Sequence, residues 1–316
     1  MPSVGVAVAI GWGIAVASEK VVGLGLCVID HVYVVERLDF AETRIRFTQR
    51  LVLPGGMIGT AVSQAATLGS EAHLLSMLGD DADGHFVRRS IEEIGVKTER
   101  LVVSPDAETT VAVVLVERNS GERRFIVPDR RALERDAPEF DLAAIDSTTT
   151  LLVDGHFPEQ ALRAVAKARE VGASVVGDFH RPSPAVRKLL PYVDFPVVPL
   201  EFAELISAGD PQRAMFEMAD QYGGTPVVTL GAEGGLYLEE GRMRRFAAHP
   251  VAVVDTTGAG DVFHGAFAAG VATGMKWPDL LRYSSAVGAL CCTKHGARPA
   301  IPTAGEVKQF LDTQNI

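Results

Sequence analysis

Cysteine is scarce in this chain. Of 316 residues, three are cysteines: Cys27, Cys291 and Cys292. The last two are adjacent, an arrangement that rarely forms a bridge, and no Cys-x-x-Cys spacing occurs. Neither a disulfide framework nor a zinc site is indicated. Small buried thiols in a reducing cytoplasm are expected instead. Positive charge is also in short supply. Lys and Arg number 30 against 40 Asp and Glu, a net charge of −10. No basic field covers the molecule, so no nucleic-acid partner is expected. No Gly-Lys dipeptide occurs anywhere, which removes a Walker-type phosphate loop. "GLGLCV" at 23–28 holds a fragment of the Gly-x-Gly-x-x-Gly pattern. It lacks the third glycine and a ribose-binding acid downstream, which argues against a dinucleotide-dependent oxidoreductase. The apolar run at 4–17 is too short to span a bilayer as a helix, and no Lys or Arg precedes it. No membrane partner is expected. Residues 1–20 read as a poorly ordered extension, with the folded domain running from Val21 to the end.

Glycine, by contrast, is plentiful, with 31 copies. Tight strand-to-helix turns need it. Short apolar runs at 21–30, 71–79, 149–155, 173–179, 194–199 and 225–231 read as buried strands. Between them lie helix-like segments at 58–69, 83–95 and 158–172, the last opened by Pro158 and closed by Gly172. This alternation predicts βαβ units, a parallel sheet and right-handed crossovers, hence an α/β fold. Two segments break the rhythm. Residues 31–53 and 109–127 alternate apolar with polar residues, and the second turns at "NSG". They predict a small sheet with one wet face that covers a ligand site and offers a surface for a homodimer.

The most informative stretch is "VVDTTGAGDVFHGAF", residues 253–267. It predicts a strand, a turn, and a helix from about Ala259. Free N–H groups and the positive dipole end at a helix start make an anion site. Gly258 and Gly260 let a ligand approach the backbone. Asp261 would repel an anion there, so binding one is not its job. It fits a general base that takes a hydroxyl proton while the amides of 258–260 hold developing charge, the division of labour of phosphoryl transfer. A plain first-turn helix acid is the alternative reading of the same residue.

The stretch "DTTGAGDVFHGAF" resembles the signature of the ribokinase/PfkB carbohydrate-kinase family. Four other segments resemble that family in order: "PGGMIGTAVSQAATLG" (54–69), "LGDDADGHF" (78–86), "VTLGAEGGLYL" (228–238) and "AVGALCCTKHGARPAIP" (286–302). The resemblance implies a three-layer ribokinase-like sandwich with a mostly parallel sheet and a β lid. It implies an ATP- and Mg²⁺-dependent sugar kinase, with K⁺ as a further ion. Asp261 would be the base, and Gly258, Ala259 and Gly260 the anion hole. Asp30, Gly55, Gly56 and Thr60 would meet the sugar. Thr229, Gly231, Gly234, Thr256 and Gly288 would meet the nucleotide. Asp255 and Thr257 match positions that order a monovalent cation. The family's Asn-x-x-Glu segment is missing from "VVPLEFAE" at 197–204, leaving Glu201 and Glu204 to organise Mg²⁺ through water. Thr60 replaces a frequent Asn, and Ala300 a Ser near the cation.

Within the family the chain looks most like sulfofructose kinases, then ketohexokinases and ribokinases. A sulfonated sugar needs cationic partners, and "GERRFIVPDRR" supplies Arg124 and Arg131 as candidates beside Arg123 and Arg130. Edge-strand arginines that only keep a lid soluble are the competing reading. The alternatives to a sulfo-sugar kinase are a neutral-sugar kinase and a non-catalytic sugar-binding regulator on the same fold.

Overall fold

The computed structural model describes residues 19–41, 43–119 and 122–314. The chain opens with β1 (Lys20–Leu24), β2 (Val28–Val35), β3 (Phe47–Gly55), α1 (Met57–Thr67), β4 (Glu71–Leu75), β5 (Met77–Gly79) and α2 (Ala82–Glu92). Then come β6 (Val102–Ser104), β7 (Val111–Glu117), β8 (Arg123–Ile126) and a short α3 (Arg131–Arg135). A βα series follows: β9 (Thr149–Val153), α4 (Pro158–Val171), β10 (Ser174–Asp178), α5 (Pro184–Leu189), β11 (Phe195–Pro199), α6 (Leu200–Ile206), α7 (Pro211–Tyr222) and β12 (Val227–Thr229). The last part is β13 (Gly235–Glu239), β14 (Arg242–Phe246), α8 (Ala259–Ala272), α9 (Trp277–Cys291) and α10 (Ala304–Thr313).

Eight strands form the central sheet in the order β14-β13-β12-β11-β10-β9-β1-β4, parallel from β12 to β4. Successive strand residues face opposite sides. Val21, Leu152 and Val176 pack with α1 and α8, whereas Val22, Leu151 and Val175 pack with α4 and α5. Two helical layers thus enclose the sheet, an α/β sandwich as expected. Residues 262–270 of α8 are buried without interruption, so α8 is a core helix. It lies so close to α1 that a Cβ on Gly265 would stand 2.2 Å from the Ala61 carbonyl oxygen.

A second sheet, β3-β2-β7-β8, is built from the two alternating segments. Its β7–β8 hairpin is antiparallel, while the turn predicted at "NSG" includes residues 120 and 121, outside the described residues. The predicted extension likewise falls outside them up to residue 18.

Three predicted strands differ from what is found. The run 21–30 is two strands, β1 in the main sheet and β2 in the small one, so Asp30 stands in β2. The break is fixed by Asp154, whose Oδ2 accepts the Leu26 N–H at 2.7 Å. The run 71–79 breaks at Ser76, whose hydroxyl donates to the Gly25 carbonyl at 2.7 Å. Both halves of each run are apolar, so the pattern hides the break. Residues 253 and 254 form no strand, and both valines are exposed.

Candidate active site

Gly258 caps α8 with φ 77, in the left-handed region, and a Cβ there would stand 2.5 Å from the Ala297 Cβ. Only glycine fits both conditions. The turn it makes leaves the Gly258, Gly260 and Asp261 amides without a backbone acceptor among the described residues. The Ala259 N–H instead bonds the Thr256 carbonyl at 3.3 Å. Gly260 is exposed, with open space where its side chain would be. This is an anion site of backbone donors at a helix start.

Asp261 lies in that first turn, partly buried. No described residue gives its carboxylate a hydrogen bond or ion pair. Burial, and then the like charge of Asp178, push its pKa well above the carboxylate range, with His264 pulling the other way. Three further acids share this space. Asp154 and Asp178 stand at the C-terminal ends of β9 and β10, and Asp30 in β2. The carboxyl ends of parallel strands are where such sheets bind ligands. Asp178 is 1% exposed, and its Oδ2 has no hydrogen-bond partner. His264 lies between Asp178 and the anion turn: Nε2 is 3.4 Å from Asp178 Oδ1, and Nδ1 is 2.7 Å from the Gly260 carbonyl oxygen. Its other neighbour is the Val197 carbonyl at 3.1 Å.

Asp30 faces Gly55 across the β2–β3 pair. Burial raises its pKa to about 6, partly opposed by Arg298. A Cβ on Gly55 would meet Asp30 Oδ2 at 2.1 Å. Gly56, at φ 91, passes so close to the Leu26–Val28 backbone that no side chain fits. Arg298 is buried and ties the parts together. Its Nη2 donates to the Gly55 carbonyl at 2.8 Å and its Nη1 to Ser90 Oγ at 3.0 Å. Gly55→Ala therefore displaces the Asp30 carboxylate while leaving α8 untouched.

Other candidates sit differently from expectation. Thr60 is fully buried on α1 with its hydroxyl oxygen unpartnered, and offers a ligand no surface. Gly288 is buried where α9 crosses α8, 3.3 Å from the Ala259 carbonyl as measured to a built Cβ. It serves that helix contact and does not open to a nucleotide. Arg124 pairs with Glu122 and Arg131 with Asp129; their side chains are 58% and 89% exposed and point to solvent. Arg130 is the buried one, held by Glu134 and the Thr110 hydroxyl over the Phe157 ring. Thr229, Gly231 and Gly234 lie together at the β12–β13 turn, both glycines at positive φ. Thr256 is exposed beside the anion turn.

Glu201, in the first turn of α6, and Glu204, one turn further on, are exposed acids at the same end of the sheet. Mg²⁺ on a nucleotide needs one or two carboxylates and keeps several waters, which these residues fit. A monovalent cation at Asp255 does not fit. Asp255 Oδ1 accepts the Thr257 N–H at 2.9 Å and hydroxyl at 2.7 Å, and Oδ2 the Gly296 N–H at 2.8 Å. The charge itself is matched by Arg123, whose guanidinium bonds Oδ1. Burial would raise the Asp255 pKa, yet these donors and Arg123 together hold it below the ordinary value.

Asp154, Asp178, His264 and Arg298 carry no assignment from sequence. The signal for the two acids was present: each ends a strand-like run immediately before a turn.

The pfkB family carbohydrate kinase model matches residues 18–304. The ribokinase of Lactococcus lactis is 28% identical over 303 residues, covering 94% of this chain and 98% of the relative. A fructokinase of Solanum tuberosum is 29% identical over 325 residues, covering 95% and 98%. Among solved structures, a putative ribokinase from Agrobacterium tumefaciens superposes with a TM-score of 0.86 at 27% identity, covering 95% of this chain and all of that one. With a family match over nearly its whole length and a ribokinase-like fold, the chain belongs to the pfkB family of carbohydrate kinases.

Proposed function

We propose that this kinase transfers the γ-phosphoryl group of ATP to a primary hydroxyl of a ketose or pentose. The observation that carries the reading is the unpartnered Asp261 carboxylate beside the open amides of Gly258, Gly260 and Asp261. Asp261 takes the hydroxyl proton as that oxygen attacks phosphorus. The amides of Gly258 and Gly260 hold the charge that develops on the transferring group. Asp30 accepts hydrogen bonds from sugar hydroxyls, and Gly55 and Gly56 let the ring lie against the backbone. The turn with Thr229, Gly231 and Gly234 faces the nucleotide. Glu201 and Glu204 would hold Mg²⁺ through water; when bound, it draws charge from the phosphate oxygens.

An anionic sugar such as a sulfo-sugar is the weaker reading, because the arginines that would meet it are already matched: Arg130 by Glu134, Arg124 by Glu122 and Arg131 by Asp129. ADP release measured across neutral hexoses, pentoses, sulfo-sugars and phospho-sugars separates the two. Binding without turnover across that panel would point instead to a regulator.

The raised pKa of Asp261 has a consequence for pH. The base acts only when deprotonated, so kcat/KM rises with pH through a limb above the usual carboxylate range. Asp178→Asn removes a like charge, lowers that pKa, and should move the limb to lower pH. The pH profiles of the two proteins check the sign.

The small sheet exposes Phe47, Phe125 and Ile126, with Val127 just beyond β8, each more than half accessible. A second copy of the chain would cover them. Light scattering should give a dimer mass, and Phe125→Asp should shift it toward monomer.

A further inference from the structure

The residue that fills the place of a cation beside the anion turn comes from the small sheet. Arg123 begins β8, the edge strand that pairs with β7. Its Nη2 bonds Asp255 Oδ1 and lies 3.3 Å from Thr256 Oγ1. The side chains of Arg123 and Asp255 are 19% and 18% exposed, so the pair is largely withdrawn from water. The partners lie 132 positions apart. Asp255 in turn fixes both walls of the anion turn. It holds Thr257, which directly precedes Gly258, and Gly296, which precedes the Ala297 that packs on Gly258.

Resting on the kinase reading above, we infer that Arg123 is a positioning residue for phosphoryl transfer. Its guanidinium replaces a monovalent cation at Asp255, and the anion turn is fully ordered only while β8 sits on it. Without the guanidinium, Asp255 is a half-buried carboxylate next to a site that must accept phosphate charge. With it, that charge is neutralised, and the Thr257 and Gly296 amides stay aligned. Arginine suits the task because its charge is permanent and its Nη2 reaches the carboxylate and the Thr256 hydroxyl together. Placing it on the small sheet links covering of the sugar to completion of the anion turn.

The test compares wild type, Arg123→Ala and Arg123→Lys, each with K⁺ and with Na⁺ at equal ionic strength. Wild type should be indifferent to the choice of ion. Arg123→Ala should lose about 10- to 100-fold in kcat, the scale of a misplaced catalytic group, with less change in sugar KM. Arg123→Lys should recover part of that loss. K⁺ should recover part of it for Arg123→Ala alone. A wild type that requires K⁺, or an Arg123→Ala variant with wild-type kcat, overturns the inference. Amide hydrogen exchange in the free protein reads the same contact without turnover. Arg123→Ala should speed exchange at Thr257 and Gly296, the two amides that Asp255 accepts, and unchanged exchange also overturns the inference. Wild type that turns over no sugar in the panel sinks the kinase reading, and the exchange experiment then still decides whether Arg123 orders the turn.

Discussion

Asp261→Asn lowers kcat by at least about 100-fold, the contribution expected of a positioned general base. The reasoning starts from what the side chain lacks. An acid placed in a first helical turn for stability alone would bond backbone amides or meet a cation, at a gain of a few tenths of a kcal/mol. Asp261 does neither among the described residues, and it shares its space with Asp178, Asp30 and Asp154. Burial and like charges make the ionised form costly. The protein therefore keeps an expensive group where a stabilising one was available. Asparagine has nearly the same shape and carries no charge. The variant should fold at least as well as wild type, because removing one charge relieves the repulsion. Sugar affinity, read by calorimetry, should change little, since Asp30 and the Gly55–Gly56 backbone are untouched. A variant with wild-type kcat would remove Asp261 from the role of base and leave it a structural acid after all.

How much of this was legible in the sequence depends on the scale of the interaction. The α8 entry was fully legible, because a left-handed cap admits few residues and "TTGAGD" writes that need into the chain. Parallel strands were legible as apolar runs, since both faces of the central sheet are covered. Their breaks were not. Gly25 ends β1 because Asp154, more than a hundred residues away, claims the space and the Leu26 amide. The arginines show the same limit. "ERRFIVPDRR" gives no sign that Arg123 and Arg130 turn inward while Arg124 and Arg131 turn out. Register on β8 and the distant Asp255 decide for Arg123, whereas Glu134, one helical turn on, and the Thr110 hydroxyl decide for Arg130. Arg298 was invisible for a related reason. A lone arginine between alanine and proline reads as surface, yet the Gly55 carbonyl and Ser90 hydroxyl draw it inside.

The second large effect separates what the anion turn needs for folding from what it needs for chemistry. Gly258 and Gly260 stand two positions apart, and alanine at each should act in opposite directions on stability. At Gly258 the left-handed backbone costs alanine about 1–2 kcal/mol. The new methyl also presses on Ala297, which adds to that and pushes the 296–298 loop. At Gly260 the backbone is helical and the space is open, so alanine should stabilise by about 1 kcal/mol. Chemical denaturation reads both. On activity the two should agree. Gly258→Ala misaims an amide, and one lost donor of this kind costs about 100-fold or more in kcat. Gly260→Ala keeps every amide in place but stands a methyl where the phosphoryl group must approach the backbone, so kcat falls although the fold is firmer. A Gly260→Ala variant that is both more stable and fully active would mean nothing approaches that turn closely. The anion would then have to bind elsewhere. If the variant is more stable and inactive, glycine at 260 is retained against the folding preference of the helix for the sake of what binds there.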